Sequence, residues 1–362
     1  MKIVQLFGSL NRGGAEVLTY DVCKHFPGNL GQQFLVTYRG GDMQADFTNS
    51  KIPLYKINKG LFGISLIKEL RSFVKKNDIH IIHVHKSIDV FYVKIAAIGL
   101  NTKIVQTVHS TASGSMYKML RRIVKRMTDH LFFVSEDILN KFKSKHPITN
   151  KYSVLYNGID KQKFMQKNVM FVKELHLPKA QILAGMVGNF NDVRDHFTIC
   201  LALNNVIIKN PDFHFIFVGS NQGLELEDKC KRYCEKQQII ENVHFLGTRS
   251  DIPEILDSLD LFIYSSNRDT FGIAVVEAMM SGTPVIVNDL PVFQEITENG
   301  TYAQLYKTKD ADDLAEKIEY FIRHPEARAE LGERGRQYAL ENFTIEKHIE
   351  QLHSIYTELL SD

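Results

Sequence analysis

Strand-like and helix-like segments alternate along the whole sequence, and this alternation restricts the fold class more than any other feature. Short apolar runs such as KIVQLF (residues 2–7) and FHFIFVG (213–219) are typical of strands that are buried on both faces. Between such runs lie segments with apolar residues at helical spacing, for example residues 64–76. Alternating strands and helices predict an α/β fold with parallel sheets.

The alternation is interrupted once, between Asp160 and Pro178, where the chain is rich in Lys, Gln and Asn and shows no sustained period. We therefore expect two Rossmann-like domains, residues 1–163 and residues 164–344. The last helix, within residues 345–362, has a wider apolar face than a free tail needs, so we expect it to cross back and pack on the first domain. Ligands of such folds bind at the carboxyl ends of the strands, and two facing domains would hold a ligand in the cleft between them.

The composition limits the class of protein and its partners. The chain has 362 residues, of which 44% are hydrophobic and 24% are charged, and its formal net charge is +2. This balance is typical of a soluble globular protein and argues against nucleic acid as a partner. Met1 leads directly into a strand, and no apolar run approaches the ~20 residues of a membrane span. The four cysteines form no disulfide framework, which predicts reduced thiols in a cytoplasmic protein.

Residues 265–289 carry two acidic residues around a predicted helix start. The helix should begin near Gly272, where unpaired backbone N–H groups favour an anion. Glu277 is the only charged residue of this apolar helix, and Asp269 stands eight positions before it. A carboxylate on a buried helix is costly without a partner. Two interpretations stay open here: a turn Asp with a Glu paired to a distant Arg, or a sugar-nucleotide site.

The loop GSLNRGGAE (8–16) is rich in glycine and lies between the first strand and the first helix. It does not have the G-x-G-x-x-G spacing, and the second strand ends without a ribose-binding acid, so no NAD site is predicted. Gly13 and Gly14 form either a simple tight turn or an anion contact. The position of such loops in doubly wound folds favours the contact.

Histidines cluster in two neighbouring strands. Strand alternation puts His83 and His85 on one face and His80 on the other, so the three cannot bind one metal ion. His85 and His109 end their strands at the same edge of the sheet, which favours ligand contact for His109 over simple packing.

In the second domain, VGNFNDVRDH (187–196) follows the first strand, where the phosphates of a ligand would lie. Arg194 is its only cation and Asn189 is a polar partner. The alternative is a surface ion pair of Arg194 with Asp192 or Asp195, which would contribute little.

Two acidic helix starts are predicted to be capping sites. In FLGTRSDIPEIL (245–256), Asp251 is the expected N-cap, and the exposed backbone before it could bind a base. DADD (310–313) is interpreted as a helix cap and not as a metal site.

Residues 117–127, YKMLRRIVKRM, predict a basic amphipathic helix. Such a helix is either a solvated face or a contact with an anionic membrane surface.

Together these segments resemble glycosyltransferase family 4, the retaining GT-B sugar-nucleotide transferases. The resemblance covers the whole chain in order, and its last segment is the most specific. The residues that carry it are GGAE (13–16), TVH (107–109), NGID (157–160), FLG (245–247), Asp251 to Pro253, and above all DTFGIAVVEAMMSGTPVI (269–286).

The resemblance implies a role for each of these positions. Glu277 would hold the ribose hydroxyls, and Asp269 would lie by the donor sugar, where the family usually has Glu. Arg194 would bind the diphosphate together with the backbone amides near Phe271, and Asn189 occupies a position where the family often has Arg. His109 would lie beside the donor sugar.

The predicted catalytic residues are Asp269, Arg194, His109 and Glu277. The predicted donor-binding residues are Gly13, Gly14, Asn189, Arg194, Gly247, Thr248, Asp251, Thr270, Phe271, Gly272, Ile273 and Glu277. The predicted acceptor contacts are Glu16, His85 and Ser110, and the resemblance implies no metal or other cofactor.

The implied reaction moves a hexose-type sugar from a nucleotide diphosphosugar to an acceptor hydroxyl, with retention of anomeric configuration. A UDP-sugar is favoured over a GDP-sugar. The expected acceptor is a glycan or lipid-linked glycan of a surface polysaccharide (capsule, O-antigen or exopolysaccharide), which places the enzyme in the cytoplasm or on the inner face of the membrane. Two alternatives are a GT-B-type epimerase, which needs no acceptor, and a binding protein that never releases the nucleotide.

Overall fold

Two parallel sheets organise the chain, and each belongs to its own compact unit. The computed structural model describes residues 1–50, 52–60, 63–109, 123–124, 126–144, 149–165, 182–222 and 225–361. The first unit comprises Met1–Ile159 together with Ile345–Asp362, and the second comprises Asp160–Thr344.

The first unit contains a seven-stranded sheet in the order β3-β2-β1-β4-β5-β6-β7, with every pair parallel. Its strands are β1 (Lys2–Phe7), β2 (Gln32–Thr37), β3 (Leu54–Lys56), β4 (Ile81–Val84), β5 (Lys103–Val108), β6 (His130–Phe133) and β7 (Tyr152–Val154). Its helices before residue 159 are α1 (Gly14–His25), α2 (Gln44–Asn49), α3 (Ile64–Asn77), α4 (Asp89–Ala96) and α5 (Glu136–Lys143), numbered among the residues described.

The second unit contains a six-stranded sheet in the order β10-β9-β8-β11-β12-β13, again with every pair parallel. Its strands are β8 (Ile182–Val187), β9 (Phe213–Val218), β10 (Val243–Phe245), β11 (Leu261–Tyr264), β12 (Val285–Asn288) and β13 (Gln304–Tyr306). Its helices are α6 (His196–Lys209), α7 (Leu226–Lys236), α8 (Ile252–Ser258), α9 (Ile273–Ser281), α10 (Pro291–Ile296), α11 (Ala311–Arg323) and α12 (Pro325–Asn342). Short 3₁₀ turns cover Lys161–Phe164 and Ile240–Asn242.

These strand orders confirm the predicted α/β class and locate the ligand-binding edge of each sheet. In both units the first strand lies between the second and the fourth strand of that unit, which is the order of a doubly wound fold. The connections from neighbouring strands leave in opposite directions at this point, and a crevice opens outside the carboxyl ends. The two switch points lie between β1 and β4 and between β8 and β11.

The last helix, α13 (Ile345–Ser361), belongs to the first unit. Its apolar face is buried in a cluster with α1 and the central strands of that unit, contributed by Ile345, Ile349, Leu352 and Tyr356. The Tyr356 hydroxyl lies 2.6 Å from Nδ1 of His83 on β4. The periodicity of the sequence predicted a buried face on this helix, and the structure shows which surface covers it.

Candidate functional site

Two loops meet at the switch point of the second unit, after β8 and after β11. Arg194 and Ser266 form an antiparallel bridge between these loops. The Asn267 amide donates to the Val193 carbonyl at 2.8 Å. Asn288, which is fully buried at the end of β12, accepts from the Ser266 amide at 3.0 Å and donates to its carbonyl at 2.9 Å. The backbone of both loops is therefore fixed by the protein itself.

Arg194 pairs with the acidic residue of the other loop. Its Nη1 donates to Oδ2 of Asp269 at 2.9 Å and to Oγ of Ser266 at 3.0 Å. The alternative prediction, a surface ion pair of Arg194 with Asp192 or Asp195, is wrong. Asp192 pairs with Arg268 at 2.7 Å, and Asp195 caps α6 by accepting from the Thr198 amide. The structure thus brings together two of the predicted catalytic residues, Arg194 and Asp269.

Tyr264 and Ser266 complete this arrangement and were missed in the sequence. Tyr264 is the last residue of β11, and its hydroxyl donates to Oδ2 of Asp269 at 3.2 Å. The centre of its ring lies 5.1 Å from the guanidinium carbon of Arg194. Burial is the main cause that raises the pKa of Tyr264 well above its usual value, so its hydroxyl keeps its proton. The available sequence signal was the position of a Tyr and a Ser at the end of a switch-point strand.

The start of α9 differs from its expected form. Gly272 is the N-cap with φ 86°, as a tight strand-to-helix turn requires, and an added Cβ would lie 2.7 Å from Cε1 of Phe293. The amides of Thr270 and Phe271 both donate to Oδ1 of Asp269, at 2.7 Å and 3.3 Å. The Phe271 amide, expected to face sugar and phosphate, therefore already has an acceptor. The first amides of α9 itself still lack intrahelical acceptors, as at any helix start.

Glu277 lies on the accessible side of α9. The apolar sequence of this segment predicted a helix buried on nearly all sides, but Ile273, Ala274 and Glu277 are only half-buried. These positions share one helical face, because residues three and four apart are neighbours. The helix therefore presents Glu277 and its first turn on the same side.

The other predicted donor residues have varied surroundings. Asn189 is exposed, and its Oδ1 accepts from the Ser220 amide at 2.9 Å, which ties the loops after β8 and β9. Gly247, with φ 65°, accepts from the Gly219 amide at 2.9 Å, and Thr248 is exposed. Asp251 is the N-cap of α8 by position, but its side chain makes no cap hydrogen bond.

The Asp251 carboxylate instead forms a two-pronged pair with Arg249, at 2.8 Å from Nε and 2.5 Å from Nη2. This hydrogen-bonded pair holds the pKa of Asp251 below its usual value. The prediction of a side-chain cap was wrong, because a guanidinium two residues away offers a charge-assisted double hydrogen bond. The predicted cap at Asp310 is confirmed, since it accepts from the Asp313 amide at 3.0 Å.

In the first unit, His85 and His109 meet at the switch-point edge. Nδ1 of His85 lies 3.0 Å from Nε2 of His109, and Nε2 of His85 lies 2.9 Å from Oε1 of Gln5. A carbonyl oxygen only accepts, so His85 donates from Nε2 and its neutral ring accepts at Nδ1. His109 therefore carries its proton on Nε2. Burial, with His348 nearby, lowers the pKa of His109 to about 4.

The three histidines in and beside β4 (His80, His83 and His85) separate as strand alternation predicts. The rings of His83 and His85 stack at 4.6 Å, whereas His80 accepts from the Lys2 amide at its Nδ1. Burial is the main cause that lowers the pKa of His83 and His85 well below the usual value, so both rings are neutral at pH 7. Within the described residues, no group of three His, Cys, Asp or Glu is arranged to hold a metal ion.

The glycine-rich loop leads into α1, with Gly13 as the N-cap and Gly14 as the first helical residue. An added Cβ on Gly13 would lie 2.8 Å from Oε2 of Glu16. Burial raises the pKa of Glu16 against the opposing effect of Lys86, the residue after His85. The predicted acceptor residues Glu16 and His85 therefore belong to the same edge.

Ser110 and most of the predicted basic helix, residues 117–122 and 125, lie outside the described residues. Among the helices described, none combines the length and the apolarity that crossing a membrane requires.

A cavity of about 930 Å³ lies between α6 and α11, away from the carboxyl ends of the strands. An ion pair of 2.6 Å between Lys209 and Glu319 joins these helices beside it. It contains none of the switch-point residues, and the parallel sheets point to the carboxyl edges as the functional positions.

Comparison with known proteins agrees with this geometry. Residues 12–163 match the family described as Glycosyltransferase Family 4, and residues 170–338 match Glycosyl transferases group 1. The chain is 23% identical over 316 residues to the N-acetyl-alpha-D-glucosaminyl L-malate synthase of Bacillus anthracis, covering 83% of this chain and 80% of that protein. It is 25% identical over 338 residues to the UDP-Gal:alpha-D-GlcNAc-diphosphoundecaprenol alpha-1,3-galactosyltransferase of Escherichia coli, covering 87% and 86%.

The fold is also that of Anabaena Alr3699/HepE, solved in complex with UDP and glucose. The two superpose with a TM-score of 0.87 over 99% of this chain and 100% of that one, at 19% sequence identity. This likeness confirms the predicted GT-B fold class.

Proposed function

The chain belongs to the glycosyltransferases, with a family 4 domain followed by a group 1 domain, and on that premise we propose its reaction. It moves a hexose-type sugar from a UDP-sugar to a hydroxyl of a glycan or lipid-linked glycan, with retention of configuration at the anomeric carbon. The observation that carries this proposal is the position of Arg194. This residue is a mostly buried cation at the switch point of the second unit, held beside the turn that leads into α9.

The chemical demand of such a transfer is charge stabilisation. As the bond between the sugar and the diphosphate breaks, negative charge grows on the phosphate oxygens and positive charge grows on the sugar. A fixed guanidinium and the free amides of a helix start stabilise the leaving diphosphate, an effect worth several kcal/mol when the donors are already oriented. In this proposal Arg194 and the first turn of α9 do so without a metal ion. Glu277, on the accessible side of α9, binds the ribose hydroxyls.

Retention follows if the acceptor attacks from the face that the diphosphate leaves. The departing phosphate oxygen then takes the proton of the acceptor hydroxyl, so no separate covalent nucleophile is needed. His109 stays the predicted contact of the donor sugar, and the edge with Glu16 and His85 the predicted acceptor site.

Two relatives support the choice of donor and acceptor. The printed name of the Escherichia coli relative specifies UDP-galactose as donor and a diphosphoundecaprenol-linked sugar as acceptor, and the Anabaena structure contains UDP and glucose. We propose the same chemical classes here: a uridine donor and a lipid-linked glycan of a surface polysaccharide. A lipid-linked acceptor would bring the enzyme to the inner face of the membrane.

The test measures nucleotide release and product formation with purified protein, a panel of UDP- and GDP-sugars, and glycan or lipid-linked acceptors. Transfer should require both donor and acceptor, persist in EDTA, and give a product with the donor's anomeric configuration by NMR. Product from the donor alone would identify an epimerase, and binding without nucleotide release would identify a binding protein.

Arg194→Ala should lower kcat/KM by about 10²-fold or more, because it removes an oriented charge from the leaving diphosphate. The matched control is Arg268→Ala, since Arg268 is 62% exposed and pairs with a 69% exposed Asp192. Equal activity of the two variants would contradict the role of Arg194.

A further inference from the structure

The carboxylate of Asp269 is fully used by the protein. Its Oδ1 accepts from the amides of Thr270 and Phe271, and its Oδ2 accepts from Nη1 of Arg194 and from the Tyr264 hydroxyl. A carboxylate has about four lone-pair sites. The side chain is only 9% exposed. A sugar hydroxyl could therefore bind Asp269 only by displacing one of these four donors.

Arg194 shows the opposite pattern, with one edge occupied and one edge unused. Both hydrogens of Nη1 have acceptors, Asp269 and Ser266. Ser266 is itself fixed, since its Oγ lies 2.8 Å from the carbonyl oxygens of Val193 and Arg268. Nε and Nη2 have no acceptor in the part of the chain that the structure describes. These two nitrogens form the edge of a guanidinium that binds a phosphate with two parallel hydrogen bonds.

Tyr264 also helps to hold the Arg194 guanidinium in this orientation. It is 1% exposed, its hydroxyl reaches Asp269, and its ring centre lies 5.1 Å from the Arg194 guanidinium. A guanidinium held between a carboxylate and an aromatic ring has little freedom to rotate, and an oriented donor needs no reorganisation when charge develops.

We propose that Asp269 and Tyr264 are positioning residues, which hold Nη1 of Arg194 so that its Nε–Nη2 edge binds the donor diphosphate, and that Asp269 binds no hydroxyl of the donor sugar. This inference rests on the proposed function. It differs from the role that the resemblance implies for position 269, where a longer Glu side chain would lie by the sugar. Choice among donor sugars then depends on other residues.

The test separates diphosphate binding from sugar binding. For wild type, Asp269→Asn and Tyr264→Phe, calorimetry gives the affinity for UDP, and kinetics give kcat and KM for a UDP-sugar and for its deoxy analogues. Asp269→Asn faces the donors of Arg194 and Tyr264 with an amide, so UDP should bind about tenfold more weakly or worse. The ratio of kcat/KM between the UDP-sugar and each deoxy analogue should stay as in wild type. Asp192→Asn, which breaks the surface pair with Arg268, is the matched control and should change neither quantity.

Three outcomes would overturn the proposal. One is a wild-type UDP affinity in Asp269→Asn. Another is a selectivity ratio that shrinks in this variant, which would mean that Asp269 binds a sugar hydroxyl. A third is a full additional loss when Asp269→Asn is combined with Arg194→Ala, since a positioning residue should add little once its target is gone. If Asp269→Asn does not fold, the Tyr264→Phe variant tests the proposal alone. It keeps the aromatic ring and should weaken UDP binding by a smaller factor, with unchanged selectivity for the sugar. An unchanged UDP affinity in this variant would refute the proposal. Wild-type protein that binds no nucleotide would instead refute the proposed function.

Discussion

At the scale of single residues, Glu277 is the clearest test of nucleotide recognition. Glu277→Gln keeps the shape but removes the negative charge that strengthens hydrogen bonds from ribose hydroxyls. We expect the affinity for UDP to fall about tenfold, with a smaller loss for 2′-deoxy-UDP, because hydrogen bonds to a charged group are the stronger ones. Calorimetric titration of both nucleotides measures the difference. Glu330→Gln, on the 71% exposed side chain of Glu330, is the control, and equal losses for both nucleotides would argue against a ribose contact.

A second prediction for a single residue concerns the effect of Gly272 on stability. Gly272→Ala places a Cβ 2.7 Å from Phe293 at a φ of 86°, so it should suffer both backbone strain and a steric clash. Gly99→Ala has a similar φ of 71° but an open surrounding, so it reports the strain alone. We expect the Gly272 variant to lose more stability than the Gly99 variant, by about 1–3 kcal/mol in chemical denaturation. Equal losses would mean that Phe293 moves aside.

Local sequence patterns predict which residue types lie at the sheet edges but not how they pair. Gly272 at a helix start and Asp310 as a cap depend only on neighbouring residues, so the sequence was enough. The partner of Arg194 is 75 positions away, and two nearer acids competed with it, so only the sheet topology could bring it to Asp269. The Asp251 side chain failed as a cap for a local reason, the guanidinium of Arg249.

At the scale of elements, the two apolar runs predicted as strands were located within one residue, because parallel strands are continuous apolar runs. The run 2–7 coincides with β1, and the run 213–219 extends one residue beyond the end of β9 at Val218. The sequence again did not show which residues of different elements lie close together. Cys200 of α6 and Cys230 and Cys234 of α7 are all buried, and the two α7 thiols add to burial in raising the pKa of Cys200 well above its usual value.

The packing of α13 on the first unit leads to a prediction about the free energy of unfolding. Leu352 is 1% exposed in the cluster that α13 shares with α1 and the central strands of the first unit. Leu352→Ala should lower the free energy of unfolding by about 2–5 kcal/mol, because it removes buried methyl groups and leaves a cavity. The urea midpoint of the full chain measures it. Glu350→Ala, on the exposed face of the same helix, should leave the midpoint almost unchanged, and a similar shift in both variants would contradict this packing.

At the scale of the whole molecule, the buried histidines should make the stability of the two units respond differently to acid. Burial lowers the pKa of His109, His130, His196 and His348 to about 4, from a usual value of 6.5, and is the main cause that lowers the pKa of His83 and of His85 well below that usual value. Between pH 6.5 and 4 the unfolded chain binds protons that the folded chain does not, so stability falls as the pH falls. Each such pKa unit corresponds to about 1.4 kcal/mol.

Within the described residues, five of the histidines whose pKa burial lowers belong to the first unit (His83, His85, His109, His130 and His348), whereas three belong to the second (His196, His214 and His244). We therefore expect the first unit to lose protection before the second as the pH falls from 7 to 5. Hydrogen exchange followed by mass spectrometry, corrected for the intrinsic pH dependence of exchange, measures both units in one experiment. Equal loss of protection in the two units would contradict the assignment.

The first unit is built from two separated parts of the sequence, and this has a consequence during synthesis on the ribosome. Met1–Ile159 emerges first, but α13, which covers its apolar cluster, is translated only after Asp160–Thr344. Until then the surface formed by residues such as Leu18 and Val22 lacks its cover. The second unit, encoded without interruption, can complete its own sheet in the meantime. The nascent chain thus carries an open hydrophobic surface through much of translation, which makes this interval the one in which chaperones and neighbouring nascent chains have access to it.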